Sequence, residues 1–190
     1  LDMGANADVR PDMLVQFAQM GRAYSRVVVG VDDPTVALLS NGSEDTKGSS
    51  AVVAAHTALA ALGESWFVGN CEGTDLLAGR FDVIVTDGFT GNVALKSLEG
   101  TAKFLLGELK SAIEDSKRAA VGALMIKPAL KDLSQKLSGD AYGGAIFLGL
   151  KAPVLIGHGA TSAEAVKNGT LACARAHDSR LVDRIVAEVA

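Results

Sequence analysis

Five polar turns hold the side chains of this chain that could do chemistry: Gly4-Ala-Asn6, Asn41-Gly-Ser-Glu-Asp-Thr-Lys-Gly48, Asn70-Cys-Glu-Gly-Thr-Asp75, Asp87-Gly-Phe-Thr-Gly-Asn92 and His158-Gly-Ala-Thr-Ser162. In the second, Thr46, Lys47 and Gly48 stand just ahead of a helix-like stretch. A lysine charge and free helical N–H groups can hold a phosphate between them there. The spacing is not that of a P-loop, since the first glycine and the Ser/Thr after the lysine are absent. A solvated charged loop is the competing reading, and both stay open. In the fourth turn, Gly88 and Gly91 let backbone approach a ligand, while Thr90 and Asn92 offer neutral donors at a helix start. A capped helix with a tight turn explains the same residues and is compatible with ligand binding. His158 follows an apolar run and precedes Gly159, which suits an imidazole facing a ligand as well as one donating to backbone.

Other reactive side chains read as structural. Cys71 has no base at a suggestive spacing and is expected to be a buried, inert thiol. His56 falls in an Ala-rich helical stretch and His177 near a helix end. Lys96 and Glu99 are expected on a solvated helix face, and Glu72 and Asp75 at the cap of a short helix.

These turns need a scaffold, and glycine marks where it ends each time. Val36-Ala-Leu-Leu-Ser40, Trp66-Phe-Val68, Phe81-Asp-Val-Ile-Val-Thr86 and Pro153-Val-Leu-Ile156 are short apolar runs, each meeting one of the polar turns. Helix-like stretches follow at 48 to 62, near 73 to 79, from about 91, and at 162 to 176. Strand, turn and helix in repetition predict an α/β fold with a mainly parallel sheet, and apolar runs without alternation predict a doubly wound one. Further helices are expected over 10 to 25, with Pro11 at the start, and over 178 to 190, with Asp178 and Ser179 as cap candidates. In such a sheet, ligands bind beyond the carboxyl ends of the strands, the rim where all five turns fall.

From about residue 98 the pattern changes. Leu98, Ala102, Leu105, Leu106, Leu109 and Ile113 share one helical face. Ala119 to Ile126 is apolar on most sides, and Lys127-Pro128 should break the helix before a second amphipathic stretch ending near 138. We therefore expect one α/β domain over 1–190 with a helical hairpin projecting over 98–138. Its apolar tip, with Leu124, Met125 and Ile126, is a candidate for dimer or membrane contact. Residues 102 to 136 carry seven Lys or Arg against four Asp or Glu, a balance compatible with an anionic membrane surface.

Composition removes other classes. The 190 residues are 48% apolar and 21% charged, which disfavours disorder and coiled coil. Eighteen Lys and Arg against 22 Asp and Glu leave a net charge of -4, without the basic excess that nucleic acid attracts. Cys71 and Cys173 lack partners at zinc-ligand spacing, so no metal site is expected and a reducing, cytoplasmic compartment is. No apolar run nears the roughly 18 residues of a membrane span. Leu1 to Asn6 reads as the end of a buried strand, so further sequence is expected ahead of it.

Taken together, the strings Asp2-Met-Gly-Ala-Asn6, Gly42-Ser-Glu-Asp-Thr-Lys-Gly48, Gly69-Asn-Cys-Glu-Gly-Thr-Asp75, Asp87-Gly-Phe-Thr-Gly-Asn-Val-Ala-Leu-Lys96, Tyr142-Gly-Gly-Ala145 and His158-Gly159 resemble the PlsX-type phosphate acyltransferases of bacterial phospholipid synthesis. The resemblance runs through the whole chain in order, without the N-terminal portion that family members carry. It implies transfer of a long-chain fatty acyl group from acyl carrier protein to inorganic phosphate, giving an acyl phosphate and needing no organic cofactor. Set on the rim, it makes Lys47, Asn92 and His158 the catalytic candidates. Asn6, Thr46, Gly48, Asp87, Gly88, Thr90 and Gly91 become the candidates for holding substrate or phosphate. It also implies a homodimer working at the inner face of the membrane.

Two other enzyme classes share the broad fold by resemblance. The isocitrate and isopropylmalate dehydrogenases would need a dinucleotide fingerprint and paired metal-binding aspartates that are absent here. A short-chain phosphotransacetylase differs mainly in pocket size. An inactive dimerisation and membrane-docking fragment is the alternative outside enzymology.

Overall fold

The structure, a computed structural model, describes residues 1–137, 143–157 and 162–189. Contacts divide the chain into two units. The first, Leu1–Leu95 with Leu148–Pro153 and Arg175–Ala190, is built on a three-stranded parallel sheet. Its strands are β1 (Val36–Leu39), β2 (Phe67–Cys71) and β3 (Val83–Val85), in the order β2-β1-β3. This is an α/β fold, as the order of apolar runs and turns predicts.

The centre of the sheet is the most buried, and all four β1 residues are inaccessible or nearly so. Two helices, α1 (Pro11–Tyr24) and α2 (Ser50–Ala61), pack on one face. Leu14, Phe17 and Ala18 of α1 and Val52, Ala55 and Leu59 of α2 close over Val36, Leu38 and Val85. On the other face Ala37, Leu39 and Cys71 pack with Leu76, Phe81 and Ile84. Because β1 to β3 are parallel, their carboxyl ends and the polar turns after them share one edge.

The second strand runs further than its composition suggested. The run Trp66-Phe-Val68 is expected to end at Gly69-Asn70, but β2 continues to Cys71 through a bulge at Val68 and Gly69. Val36 pairs with Phe67 and Leu38 with Asn70, so Ala37 alone opposes Val68 and Gly69. Gly69 adopts φ +94°, a conformation that glycine takes without strain.

The last turn of α5 (Ala163–Asp178), from Arg175 on, and α6 (Leu181–Val189) complete this unit, and α6 packs on α1. Arg22 of α1 pairs with Glu188 of α6 at 3.0 Å and lies over the Trp66 ring. Ser179, expected as an N-cap for α6, instead donates its hydroxyl to the Arg175 carbonyl at 2.6 Å, closing the end of α5.

The second unit comprises Lys96–Phe147 and Val154–Ala174. Its strands β4 (Ala145–Phe147) and β5 (Val154–Ile156) pair antiparallel. The apolar run at 153–156 therefore forms a strand as expected but outside the parallel sheet. The reason is length: residues 148–153 suffice for a hairpin, whereas a parallel return needs a dozen residues or more.

The long helices also break where the periodicity did not place the break. Helix α3 (Gly88–Glu114) ends at Asp115-Ser116, and α4 (Lys117–Leu137) runs through Pro128. Ser116 decides this, because its hydroxyl accepts from the Ala119 N–H at 3.3 Å and its carbonyl from Ala120 at 2.8 Å. That makes it the N-cap of α4. Leu124, Met125 and Ile126 consequently lie within the first half of α4, not at a tip. Leu130 comes back beside Leu106, Leu109 and Ile113, leaving an apolar groove of about 240 Å³ edged by Lys110 and Glu114. Among the described residues no helix is long and apolar enough to cross a membrane.

Candidate functional site

Three loops of the first unit meet the carboxyl edge of the parallel sheet. One follows β3. Asp87 caps α3 with both carboxylate oxygens, accepting from the Thr90 N–H and the Thr90 hydroxyl at 2.7 Å each. The ring it closes explains Asp87-x-x-Thr90 by local geometry alone. Thr90 is thereby committed to the cap, and a carboxylate occupies the end of α3 where an anion would otherwise gather.

Asn92, one turn into α3, is exposed and donates one amide N–H to the Met3 carbonyl at 3.0 Å. This bond joins α3 to the second loop, residues 2 to 6. Asp2 organises that loop. Its carboxylate accepts from the Gly4, Ala5 and Asn6 backbone N–H groups and from the Asn6 side chain, all at 2.8–2.9 Å. Burial by itself would raise the Asp2 pKa. The bonds from Ala5, Asn6 and Gly4 outweigh that and hold it below the usual 3.8.

The loop lies directly on α3. The Gly88 N–H donates to the Asn6 carbonyl at 2.8 Å, and the Asp2 N–H to the Thr86 carbonyl at 2.9 Å. Gly91 is glycine because nothing larger fits: an added Cβ would lie 1.9 Å from the Asp2 carbonyl oxygen and 2.9 Å from the Thr86 methyl. Asn6, Asp87, Gly88, Thr90, Gly91 and Asn92 thus form one bonded cluster.

The third loop, residues 41 to 48, connects β1 to α2 and carries Thr46, Lys47 and Gly48, all exposed. Its turn is closed by the Lys47 N–H on the Glu44 carbonyl at 3.1 Å. The Lys47 stem passes over Gly42, where a Cβ would come within 2.8 Å of Cγ. Ser49 caps α2 with a neutral hydroxyl, accepting from the Val52 N–H at 3.3 Å. Helix α2 therefore presents its N-terminus beside a lysine with no carboxylate in its cap, the opposite of α3. Of the two, α2 is the better place for a phosphate.

His158 lies outside the described residues, as does Tyr142. Cys71 is buried, and burial, with Asp75 nearby and only partly opposed by Arg80, pushes its thiol up to about 11. It is an inert core thiol. His56 stacks edge-on against Phe67, Lys96 pairs with Glu99 at 2.9 Å, and Asp75 accepts from the Glu72 N–H at 2.9 Å. Among the described residues no three His, Cys, Asp or Glu side chains are grouped to hold a metal ion.

Two residues of this edge were missed by sequence reasoning. Asp2 had a local signal, an aspartate two to four residues before Gly4, Ala5 and Asn6, the spacing at which aspartate binds following N–H groups. Asn70 had none beyond its place after Gly69.

A three-stranded parallel sheet covered by helices, its carboxyl edge carrying the N-termini of α2 and α3, defines an α/β protein. Residues 1–184 match the model of the family described as Fatty acid synthesis protein, and the chain belongs to that family. It is 47% identical over 97% of its length to a phosphate acyltransferase of Thermobifida fusca (strain YX), covering 52% of that protein. It is 48% identical over 100% of its length to a phosphate acyltransferase of Anaeromyxobacter sp. (strain K), covering 52%. A phosphate acyltransferase of Levilactobacillus brevis is 49% identical over 88% of the chain, with 49% of that protein covered. The chain spans about half the length of the curated relatives it matches.

Proposed function

We propose that this chain carries the phosphate-accepting half of an acyltransferase that moves a long-chain fatty acyl group from acyl carrier protein to inorganic phosphate. The supporting observation is the division of charge along the sheet edge. Lys47 and the neutrally capped N-terminus of α2 suit a phosphate dianion, and the Asn92 amide, anchored to Met3, suits a carbonyl oxygen.

In the reaction a phosphate oxygen attacks the thioester carbonyl carbon. The carbonyl oxygen becomes an oxyanion, to which Asn92 and His158 donate. Collapse of that intermediate expels the carrier thiolate, which takes up a proton, and leaves acyl phosphate. Phosphate is already nucleophilic near neutral pH, so the site's work is positioning and charge compensation. Asn6, Asp87, Gly88, Thr90 and Gly91 hold the loop and helix that carry Asn92, while Thr46 and Gly48 flank Lys47. No cofactor enters.

The test is phosphate-dependent thiol release from a long-chain acyl thioester by the complete gene product. Asn92→Ala or Lys47→Ala should each lower turnover about 10²- to 10³-fold, the usual effect of losing such a donor. Turnover within a few-fold of wild type, or thiol release that does not need phosphate, overturns the reading.

A second surface belongs to this proposal. Val121, Leu124, Met125 and Ile126 are 51–81% exposed on α4, in a region with an excess of positive charge. Exposed large apolar side chains in such number mark a contact surface. We assign it to the membrane or to a second copy of the chain, with α3 and α4 as a projecting hairpin over 98–138 of a doubly wound domain spanning 1–190.

A further inference from the structure

Beneath the 41 to 48 loop lies a buried polar floor that the reaction itself does not use. Asn70 is 7% exposed, and its amide nitrogen donates to the Glu44 carbonyl at 2.7 Å. The same carbonyl accepts the Lys47 N–H. One oxygen thus ties the turn that presents Lys47 both to itself and to the sheet.

The bulge in β2 makes this bond geometrically available. Side chains along a strand alternate between faces, and a single extra residue reverses the alternation. Phe67 packs with the α1 and α2 face, whereas Cys71, an even number of residues on, packs with Ala37 and Leu39 on the other. The reversal turns Asn70 toward the face of Leu38, its register partner, and so under the loop that leads to α2. Without it, Asn70 would face the opposite side.

The fold spends core polarity on this arrangement. The carbonyl oxygen of the Asn70 amide and the hydroxyl of Ser40 are both buried without a hydrogen-bond partner among the described residues. Gly48, at φ +109°, closes over that hydroxyl so tightly that a Cβ would lie 3.0 Å from it. Buried polar atoms are ordinarily paired, and an apolar side chain at position 70 would avoid the unpaired carbonyl. What Asn70 supplies in return is one donor, aimed at the turn carrying Lys47.

We propose that Asn70 is a positioning residue for phosphate: through the Glu44 carbonyl it sets the conformation of the 44 to 48 turn, and with it the direction of Lys47 and the entry to α2. Asn70 does not itself touch substrate. This rests on the reading of that loop as the phosphate site.

The experiment uses the complete gene product with Asn70→Asp, which keeps the shape and removes the donor, Asn70→Ser as a smaller second variant, and Lys47→Ala. Initial rates are measured at varied phosphate and varied acyl thioester. The Asn70 variants should raise the KM for phosphate about tenfold, the worth of one well-made hydrogen bond, with kcat and the thioester KM within about twofold of wild type. Amide exchange is read alongside, and the Lys47 N–H should exchange faster while the β1 amides keep their protection.

A fall in kcat and Tm with no selective change in phosphate KM means that Asn70 is merely structural and overturns the proposal. So does unchanged exchange at Lys47. If Lys47→Ala raises phosphate KM and the Asn70 variants do not, the positioning role alone fails. If Lys47→Ala leaves phosphate KM unchanged, the phosphate reading fails with it.

Discussion

Gly91→Ala puts the packing of the site loop to a quantitative test. A methyl there would sit 1.9 Å from the Asp2 carbonyl oxygen, whereas close C···O contacts lie at about 3.3–3.6 Å. The loop must therefore retreat by about 1.5 Å to reach such a contact. The obstacle is backbone, anchored by the Asp2 N–H on Thr86 and by the Gly88 N–H on Asn6, so no side-chain rotation relieves it. Forced overpacking costs about 1–3 kcal/mol, and loosening these bonds adds about 1 kcal/mol. Replacing a helical glycine by alanine returns about 1 kcal/mol. The net loss is about 1–3 kcal/mol, which for a chain of this size lowers Tm by about 2–12 °C. Thermal unfolding followed by circular dichroism measures it, with Gly73→Ala as the control. Gly73 belongs to the same unit and has nothing within 4 Å of an added Cβ, so its Tm should move by less than about 2 °C. A Gly91→Ala protein melting at or above wild type would refute the close contact between loop and helix.

Three further outcomes are expected. A thiol reagent at neutral pH should label half-buried Cys173 in the native protein and leave Cys71, buried and held protonated to about 11, until denaturant is added; equal labelling rates would contradict its place in the core. The Asp2 carboxyl titrates lower folded than unfolded, so it contributes stability above its usual value of 3.8 that is lost as pH falls through the depressed one. Asp2→Asn should flatten the stability profile in that acid range and leave its neutral slope alone, and a profile identical to wild type would show that the loop does not depend on the charge. Leu124→Glu or Met125→Glu should reduce co-sedimentation with anionic vesicles at least several-fold if α4 meets the bilayer. Unchanged sedimentation with a lost dimer would assign the surface to a second copy.

Local chemistry was legible in the amino-acid order because its causes are local. Apolar runs ending in glycine announced β1, β2 and β3, Pro11 announced α1, and the glycines with Thr90 and Asn92 announced a tight turn at a helix start. The turns after β1 and β3 were legible, since glycine, asparagine and aspartate are where they are for reasons that operate within four residues, whereas Asn70-Cys71 belongs to β2 and residues 158–161 lie outside the described residues. The same locality explains the errors. The helix break depended on Ser116 capping α4, a stronger local effect than the proline farther along. The partner of β5 depended on the length of the connection behind it.

What the tertiary structure alone decided is which of these turns act together. Asn92 meets Met3 across 89 residues of chain, and no spacing encodes that meeting. Gly91 reads as a flexible turn residue until the Asp2 carbonyl is seen to occupy the space of its missing side chain. Asn70 illustrates the point most fully: alternation along β2 places it on one face, and the Gly69 bulge places it on the other. A residue's face depends on register with its neighbouring strand, a long-range property, whereas its tendency to join a strand does not.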